Sequence, residues 1–504
     1  MNNIVSICFL SAFVLGMLAI GLVSYKKANS VNGFLLGGRK IGPWMSAFAY
    51  GTSYFSAVIF IGYAGKTGWQ IGLGGAMIGI GNALLGSLLA WLVLAKRTRA
   101  MTHKLNAKTM PEFFASRFDS RPLKAVAACI IFIFLVPYSA SVYMGLGYLL
   151  DAVLPGIRYE YCMLFIAVVT ALYLVLGGYV AASRTDFIQG IIMIVGVILM
   201  VVFIVNAPEV GGVAQGVDSL RAIDENLVKA FGGANFTPLM STILLTSFGT
   251  WGLPQMVHKF YAIKDDKAIK KAIIISTAFA LIISTSAYFV GAFGRLFLDN
   301  QLPAEGYDAV MPAILVQAMS DGIGGTIVLN IIILLVLSAS MSTLSSIVLT
   351  SSSAISIDLI QGYIKPNISK KASLFSLRAL CLTFIAVSLL IALLKPAFIM
   401  TLMSFSWGTV SGAFIGPFIL GLYNKKANKI GAWSGMVLGL GTCLVFTVIY
   451  RFSAEIAPLM GVISMIVSVV ASFVGNAVGN RFILKGKDTA QAKINALMFA
   501  KEAE

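Results

Sequence analysis

Hydrophobic and polar positions fall along this chain in long blocks, without the short periods typical of a soluble protein. Apolar stretches occupy residues near 4–24, 44–64, 71–95, 124–150, 160–180, 186–206, 238–258, 272–294, 326–357, 375–395, 398–423, 430–450 and 456–477. Each has the length of roughly 20 residues that a helix needs to cross a hydrocarbon core about 30 Å thick. Only helices and closed barrels satisfy their backbone inside lipid, so the pattern predicts an all-α membrane protein of about thirteen spanning helices. The first stretch has no basic leading segment and no Ala-x-Ala-type cleavage site, and Lys26 and Lys27 follow it. It therefore predicts a spanning helix in place of a signal peptide.

Two of these stretches are poor uninterrupted helices. Residues 49–65 read AYGTSYFSAVIFIGYAG, with Gly51, Thr52, Ser53 and Ser56 in the first half. Residues 247–258 read SFGTWGLPQMVH, with Gly249, Gly252 and Pro254 close together. Glycine permits non-helical backbone and proline deletes an amide donor. At membrane depth, carbonyls freed this way persist only where they line a cavity or bind something. A packing kink is the plainer reading of either break alone, but their places in the chain match. The first opens the second to sixth spans, and the second opens the seventh to eleventh. Consecutive groups of five spans have opposite orientations in the membrane, and paired breaks in inverted halves point to a secondary transporter's binding site. The chain then divides into an extra N-terminal helix (1–25), a first five-helix repeat (43–206), an inverted second repeat (238–423), two C-terminal helices (430–480) and a tail (481–504).

The ninth stretch carries SASMSTLSSIVLTSSS from Ser338 onward. Ser342, Ser345 and Ser346 share one face of a helix, and Ser338 extends it by a turn. Small residues of this kind let membrane helices pack closely, with each hydroxyl bonded to a carbonyl one turn back. A stripe of hydroxyl oxygens also suits a hard cation such as Na⁺. Asp186, at the start of the sixth span, is a carboxylate in or near the bilayer. It reads either as a first-turn acid paired with Arg184 or as a functional group with a partner.

The net charge of +17 invites a nucleic-acid reading, but its placement argues against one. About 30 of the 37 lysines and arginines fall in the loops after alternate spans, including Lys259 to Lys271, and in the tail. The opposite loops carry acids such as Asp299, Glu305, Asp308 and Asp321. By the positive-inside rule the N-terminus of this multi-pass membrane protein lies outside and the C-terminus in the cytoplasm. Cys8, Cys129, Cys162, Cys381 and Cys443 sit in apolar runs without metal-ligand spacing, and there are only two histidines. No His-Asp pair or paired intramembrane carboxylates suggest an enzyme, and no organic cofactor is implied. Between the breaks, Ser53, Tyr54, Ser56, Tyr138, Ser139, Thr246, Thr250 and Trp251 are the candidate solute-binding residues.

The pieces FLLGGRKIGPW, TMPEFFASRF, LGGYVAASRTDFIQG, GLPQMVHKFYAIKDDKA and LSASMSTLSSIVLTSSSAISIDL resemble, in order, the solute:sodium symporter family. That family includes sodium/proline, sodium/pantothenate, sodium/sialic acid and sodium/glucose cotransporters. The resemblance covers roughly residues 5–450 and implies a LeuT-type inverted five-helix repeat. It implies a sodium site formed by the carbonyls of Thr52, Phe55 and Ala339 and the hydroxyls of Ser342 and Thr343. A second sodium site, of the sialic acid symporter type, maps to Asp186, Ser342, Ser345 and Ser346. With both sites, two Na⁺ would be coupled per cycle.

Departures narrow the solute. Proline symporters have an aspartate where Tyr54 stands, and a Trp and a Tyr at Thr246 and Thr250. The arginine that clamps sialic acid has no counterpart in the fourth span. The resemblance thus implies import of a small organic acid or monocarboxylate, a pantothenate-like compound or an amino acid. Proton coupling through Asp186 on the same fold, and a transport-silent membrane sensor, are the alternatives.

Overall fold

The computed structural model describes residues 3–24, 31–154, 156–319, 322–484 and 489–499. Lys26, Lys27, Asp321 and Lys501, which entered the charge reading, lie outside the described residues, as do the remaining tail positions 485–488 and 500–504. Among the described residues the chain is helical, without strands beyond one isolated bridge.

The helices that position the site are α1 (Asn3–Ser24), α2 (Pro43–Tyr54), α3 (Ala64–Ile71), α4 (Met110–Arg117), α5 (Arg121–Val153) and α6 (Tyr159–Val205). They are followed by α7 (Phe236–Gly252), α8 (Pro254–Ala262), α9 (Asp266–Gly291), α10 (Gly322–Ser353), α11 (Lys370–Leu394) and α12 (Ile399–Tyr423). The last are α13 (Lys429–Ile449), α14 (Ala457–Val478) and α15 (Thr489–Phe499). Among the described residues, 10 helices are individually long and apolar enough to cross a membrane. The other predicted crossings fall on the shorter Tyr159–Val175, on the half-helices α7 and α8, and on Val58–Lys104, where two predicted stretches join. Gly178, at φ 54°, bends α6 between the stretches that sequence predicts as the fifth and sixth spans.

The layering follows from lipid being the outer solvent. α10 and α12 are the most enclosed crossings, while α1, α11 and α13 lie at the periphery. The peripheral helices turn Leu15, Leu390 and Val448 outward, whereas the hydroxyls of Ser338, Ser340, Ser342, Thr343 and Ser345 in α10 are all buried. Apolar groups gain nothing by leaving hydrocarbon, so helices associate through small residues and polar contacts. On the tail, α15 docks on α4, with Arg117 donating to Asn495 Oδ1 at 2.6 Å and Gln491 donating to the Arg117 carbonyl at 3.0 Å.

The two interrupted crossings are held side by side. Ile41, just before α2, donates its N–H to the Ala262 carbonyl at 3.2 Å and accepts from Lys264 N–H at 3.1 Å. Farther along, α3 crosses α9 where Gly68 meets Gly291, and a Cβ on Gly68 would collide with the Gly291 carbonyl. Gly68→Ala should therefore destabilise the fold by about 1–3 kcal/mol, the usual cost of overpacking. Gly16→Ala, in α1 with open space around it, is the control. Thermal unfolding of both variants in detergent checks this: only Gly68→Ala should lower the melting temperature.

Candidate functional site

The site is built on the break after α2. Phe55 leaves the helix with extended backbone (φ −110°, ψ 129°), and the chain turns helical again from Ala57. Two amides of the restarted helix find serine hydroxyls: Ala57 N–H donates to Ser340 Oγ at 2.9 Å and Val58 N–H to Ser56 Oγ at 3.2 Å. The freed carbonyls on the other side are less well served. Those of Thr52, Ser53 and Phe55 lie 3.3, 3.3 and 3.4 Å from Thr343 Oγ1, and that of Ala339 lies 3.0 Å from it. One hydroxyl has one proton to share among these four acceptors. Next to them, Ser342 Oγ is 2.7 Å from Thr52 Oγ1 and donates to Asp186 Oδ1 at 2.6 Å. The structure thus gathers Thr52, Phe55, Ala339, Ser342 and Thr343 in one place, and adds the Ser53 carbonyl, which the sequence reading had not included. An all-oxygen, buried, acceptor-rich cluster is the chemistry a hard cation such as Na⁺ satisfies.

Asp186 and the serines form an adjoining cluster with an additional member. Asp186 Oδ2 lies 3.9 Å from Lys259 Nζ, and the two side chains are 0% and 2% exposed. Lys259 donates to Ser346 Oγ at 2.9 Å, and Ser346 Oγ is 2.8 Å from Ser53 Oγ. A closed circuit results, running Thr52, Ser342, Asp186, Lys259, Ser346 and Ser53, which ties together α2, α6, α8 and α10. Ser345 is turned elsewhere, donating to the Ser342 carbonyl at 2.8 Å as a small packing residue would. Arg184, the sequence-adjacent candidate partner of Asp186, donates instead to Ser24 Oγ at 3.2 Å.

Lys259 corrects the sequence reading, which placed it with the loop lysines. It is buried because α8 continues the seventh crossing past Pro254, and its neighbours Met256, Val257, Phe260 and Tyr261 are buried as well. That apolar flanking was the available signal. Asp358 is a second carboxylate the reading passed over: it is buried within the run Gly322–Ile364, accepts from Thr109 Oγ1 at 2.8 Å, and lies 3.3 Å from Lys124 Nζ.

Beside the first break, and reaching α7 at Thr246, lies a nearly closed cavity of about 10 Å³. Tyr54, Ser56, Tyr138 and Thr246 are among its walls, joined by Tyr63, Asn82, Tyr288, Met403 and Trp407. Tyr54 donates across the cavity to the Thr246 carbonyl at 2.7 Å, linking the broken crossings, and Thr246 donates to Asn82 Oδ1 at 2.7 Å. No ionised side chain lines it. Ser53, Ser139, Thr250 and Trp251 are not among its walls: Thr250 donates to the Ser247 carbonyl at 2.9 Å and Trp251 Nε1 to the Leu85 carbonyl at 3.1 Å. Asn82 escaped notice as a lone amide in an apolar, glycine-rich span.

A model of the sodium:solute symporter family matches residues 34–439. The osmoregulated proline transporter OpuE of Bacillus subtilis is 30% identical over 440 residues, covering 87% of this chain and 87% of that protein. The sodium/pantothenate symporter of Haemophilus influenzae is 29% identical, covering 86% of this chain and 88% of that protein. Among solved structures, a substrate-bound, outward-open Na⁺-coupled sialic acid symporter superposes with a TM-score of 0.78 at 18% identity, over 95% of this chain and 98% of that one. Mhp1, a nucleobase-cation-symport-1 family transporter in a closed conformation, superposes with a TM-score of 0.52 at 14% identity, over 93% of this chain and 99% of that one. These structural likenesses establish the LeuT-type helical fold.

Breaking the buried pair from one side leaves an uncompensated charge, which typically costs about 3–5 kcal/mol, whereas removing both charges is often close to neutral. Asp186→Asn and Lys259→Gln should each lower the melting temperature in choline chloride, and the double variant should recover most of the loss. A thermal-unfolding double-mutant cycle measures this. A double variant as damaged as the sum of the singles would show that the two groups are not coupled.

Proposed function

We propose that this chain, which belongs to the sodium:solute symporter family, imports a small carboxylate-bearing solute using one Na⁺ bound at the break after α2. The protein is a multi-pass membrane transporter, not an enzyme, and it couples solute movement to Na⁺ by alternating access. The observation that carries the site assignment is the convergence of four carbonyls on the single Thr343 hydroxyl, with Ser342 Oγ beside them against Thr52 Oγ1.

The coupling follows from shared backbone. Phe55 offers its carbonyl toward Thr343, while Tyr54, Phe55 and Ser56 also wall the cavity. An ion that orders this turn lowers the cost of ordering it again around a solute, so each ligand raises the other's affinity by the same factor. With the N-terminus outside, as the basic loops favour, Na⁺ enters down its gradient and gains about 2.3 kcal/mol per charge per 100 mV of inside-negative potential.

The solute class rests on the cavity and the relatives. OpuE is a proline transporter and the Haemophilus protein a sodium/pantothenate symporter, and both solutes carry a single carboxylate. The walls offer hydroxyls, one amide and aromatic faces, which suits a compact, mostly apolar body with few polar groups. The small free volume means that such a solute must displace Tyr54, Tyr138 or Trp407 as it enters.

Two measurements test this reading. In a thermal-shift screen of purified protein against monocarboxylates, pantothenate-like compounds and amino acids, the hit should stabilise in NaCl and not in choline chloride. Equal stabilisation in both would refute sodium coupling at this site. Thr343→Ala should raise the Na⁺ concentration for half-maximal stabilisation by about ten- to a hundredfold, the range for losing one charge-assisted contact. An unchanged midpoint would remove Thr343 from the ion's shell.

A further inference from the structure

We propose that Lys259 is a tethered cation standing where a second Na⁺ would bind, so that this transporter couples only one Na⁺ per cycle. The inference rests on the sodium-coupling reading above and assigns a role to a residue outside both the ion cage and the solute cavity.

The oxygen set with the composition of a second sodium site comprises Asp186, Ser342, Ser345 and Ser346. In the structure an ammonium group already occupies that neighbourhood. Lys259 Nζ donates to Ser346 Oγ at 2.9 Å, lies 3.9 Å from Asp186 Oδ2 and sits 5.4 Å from the centre of the Tyr179 ring. The Ser346 hydroxyl is further engaged with Ser53 at 2.8 Å, and Ser345 is turned to the Ser342 carbonyl. Three features of a cation's surroundings are therefore directed at the ammonium: a carboxylate, a hydroxyl and an aromatic face.

Charge balance excludes simultaneous occupancy. Asp186 carries one negative charge and Lys259 one positive, both sealed from solvent. The Na⁺ of the adjoining cage already adds one positive charge to this buried cluster, and a second Na⁺ beside Asp186 would set three cations against one carboxylate, which burial strongly penalises. Either the lysine or a free ion can neutralise Asp186.

The tether also changes what neutralisation does. A free Na⁺ leaves with the transported load, whereas Lys259 stays covalently fixed to α8, the half-helix that begins at the second break. The contact joins α8 to Asp186 on α6 and Ser346 on α10, holding this half-helix against its neighbours without drawing on the sodium gradient.

The test is Na⁺ binding to the purified full-length protein, using ²²Na⁺ with choline chloride as the balancing salt, so no solute need be known. Wild type should bind one Na⁺ per chain with a Hill slope near one. Lys259→Gln, which leaves Asp186 without a cation, should bind two. It should also be destabilised in choline and rescued by NaCl. Adding Asp186→Asn to Lys259→Gln should return the count to one and abolish the extra rescue. Two Na⁺ bound to wild type would overturn the proposal, as would a Lys259→Gln protein that binds one ion. If Lys259→Gln cannot be purified, the wild-type count and the double variant's count still decide, since both must be one. Absence of any Na⁺ binding to wild type would refute the sodium reading itself, a result distinct from a count of two.

Discussion

The structure depends on a constraint that water would remove and a membrane interior does not: backbone carbonyls released from a helix must find a positive partner. At the break after α2 the amide side of this debt is met by Ser56 and Ser340, while the carbonyls of Thr52, Ser53 and Phe55 share the single Thr343 proton with Ala339. A surplus of oxygens is the natural outcome of breaking a helix and capping only one of its two new ends. Na⁺ fits this surplus better than a proton does, because a proton satisfies one or two acceptors and a coordinated ion satisfies five or six. In the function proposed above, the ion requirement is in this sense a consequence of how the chain is interrupted.

The arrangement places unlike tasks on neighbouring turns of the same helices. In α10, Thr343 and Ser342 face the break, Ser340 caps the restarted helix, and Ser346 holds the ammonium of Lys259. In α2, Thr52 belongs to the oxygen cluster and Ser53 to the adjoining circuit, while Tyr54 turns toward the cavity and bonds the other broken crossing. Small shifts of α2 against α10 must therefore alter the oxygen cluster, the buried ion pair and the cavity together. Packed interfaces with alternative arrangements are the physical basis for alternating access.

Much of this was legible in the chain because membrane chemistry writes in long blocks. The apolar runs coincide with the long helices, and the structure brings the hydroxyl stripe of α10 against Asp186 on α6. The breaks fall within the segments the sequence singles out, at Phe55–Ser56 and at Leu253, though not at the glycines themselves. Gly51 stays helical, and its missing side chain makes room for Phe279. Gly252 likewise closes α7 against the Ser411 backbone, and the departure falls at Leu253, ahead of Pro254. Glycine signalled close approach and helix ends signalled the break, a distinction that needs the packing partner to be known. Lys259 was hidden by the run of loop lysines after it, since one residue's depth depends on where a helix ends. Asn82 and Trp407 were hidden because their contacts are made across helices far apart in sequence.

The central claim is that Na⁺ orders the break between α2 and the helix that follows, through α10. Backbone hydrogen exchange, read by mass spectrometry on the purified protein in NaCl and in choline chloride at equal ionic strength, tests it most directly. The account predicts slower exchange in NaCl at residues 52–58 and 339–346, and no comparable change on the peripheral α11 and α13. Equal exchange in the two salts across both segments, or protection confined to other regions, would contradict it.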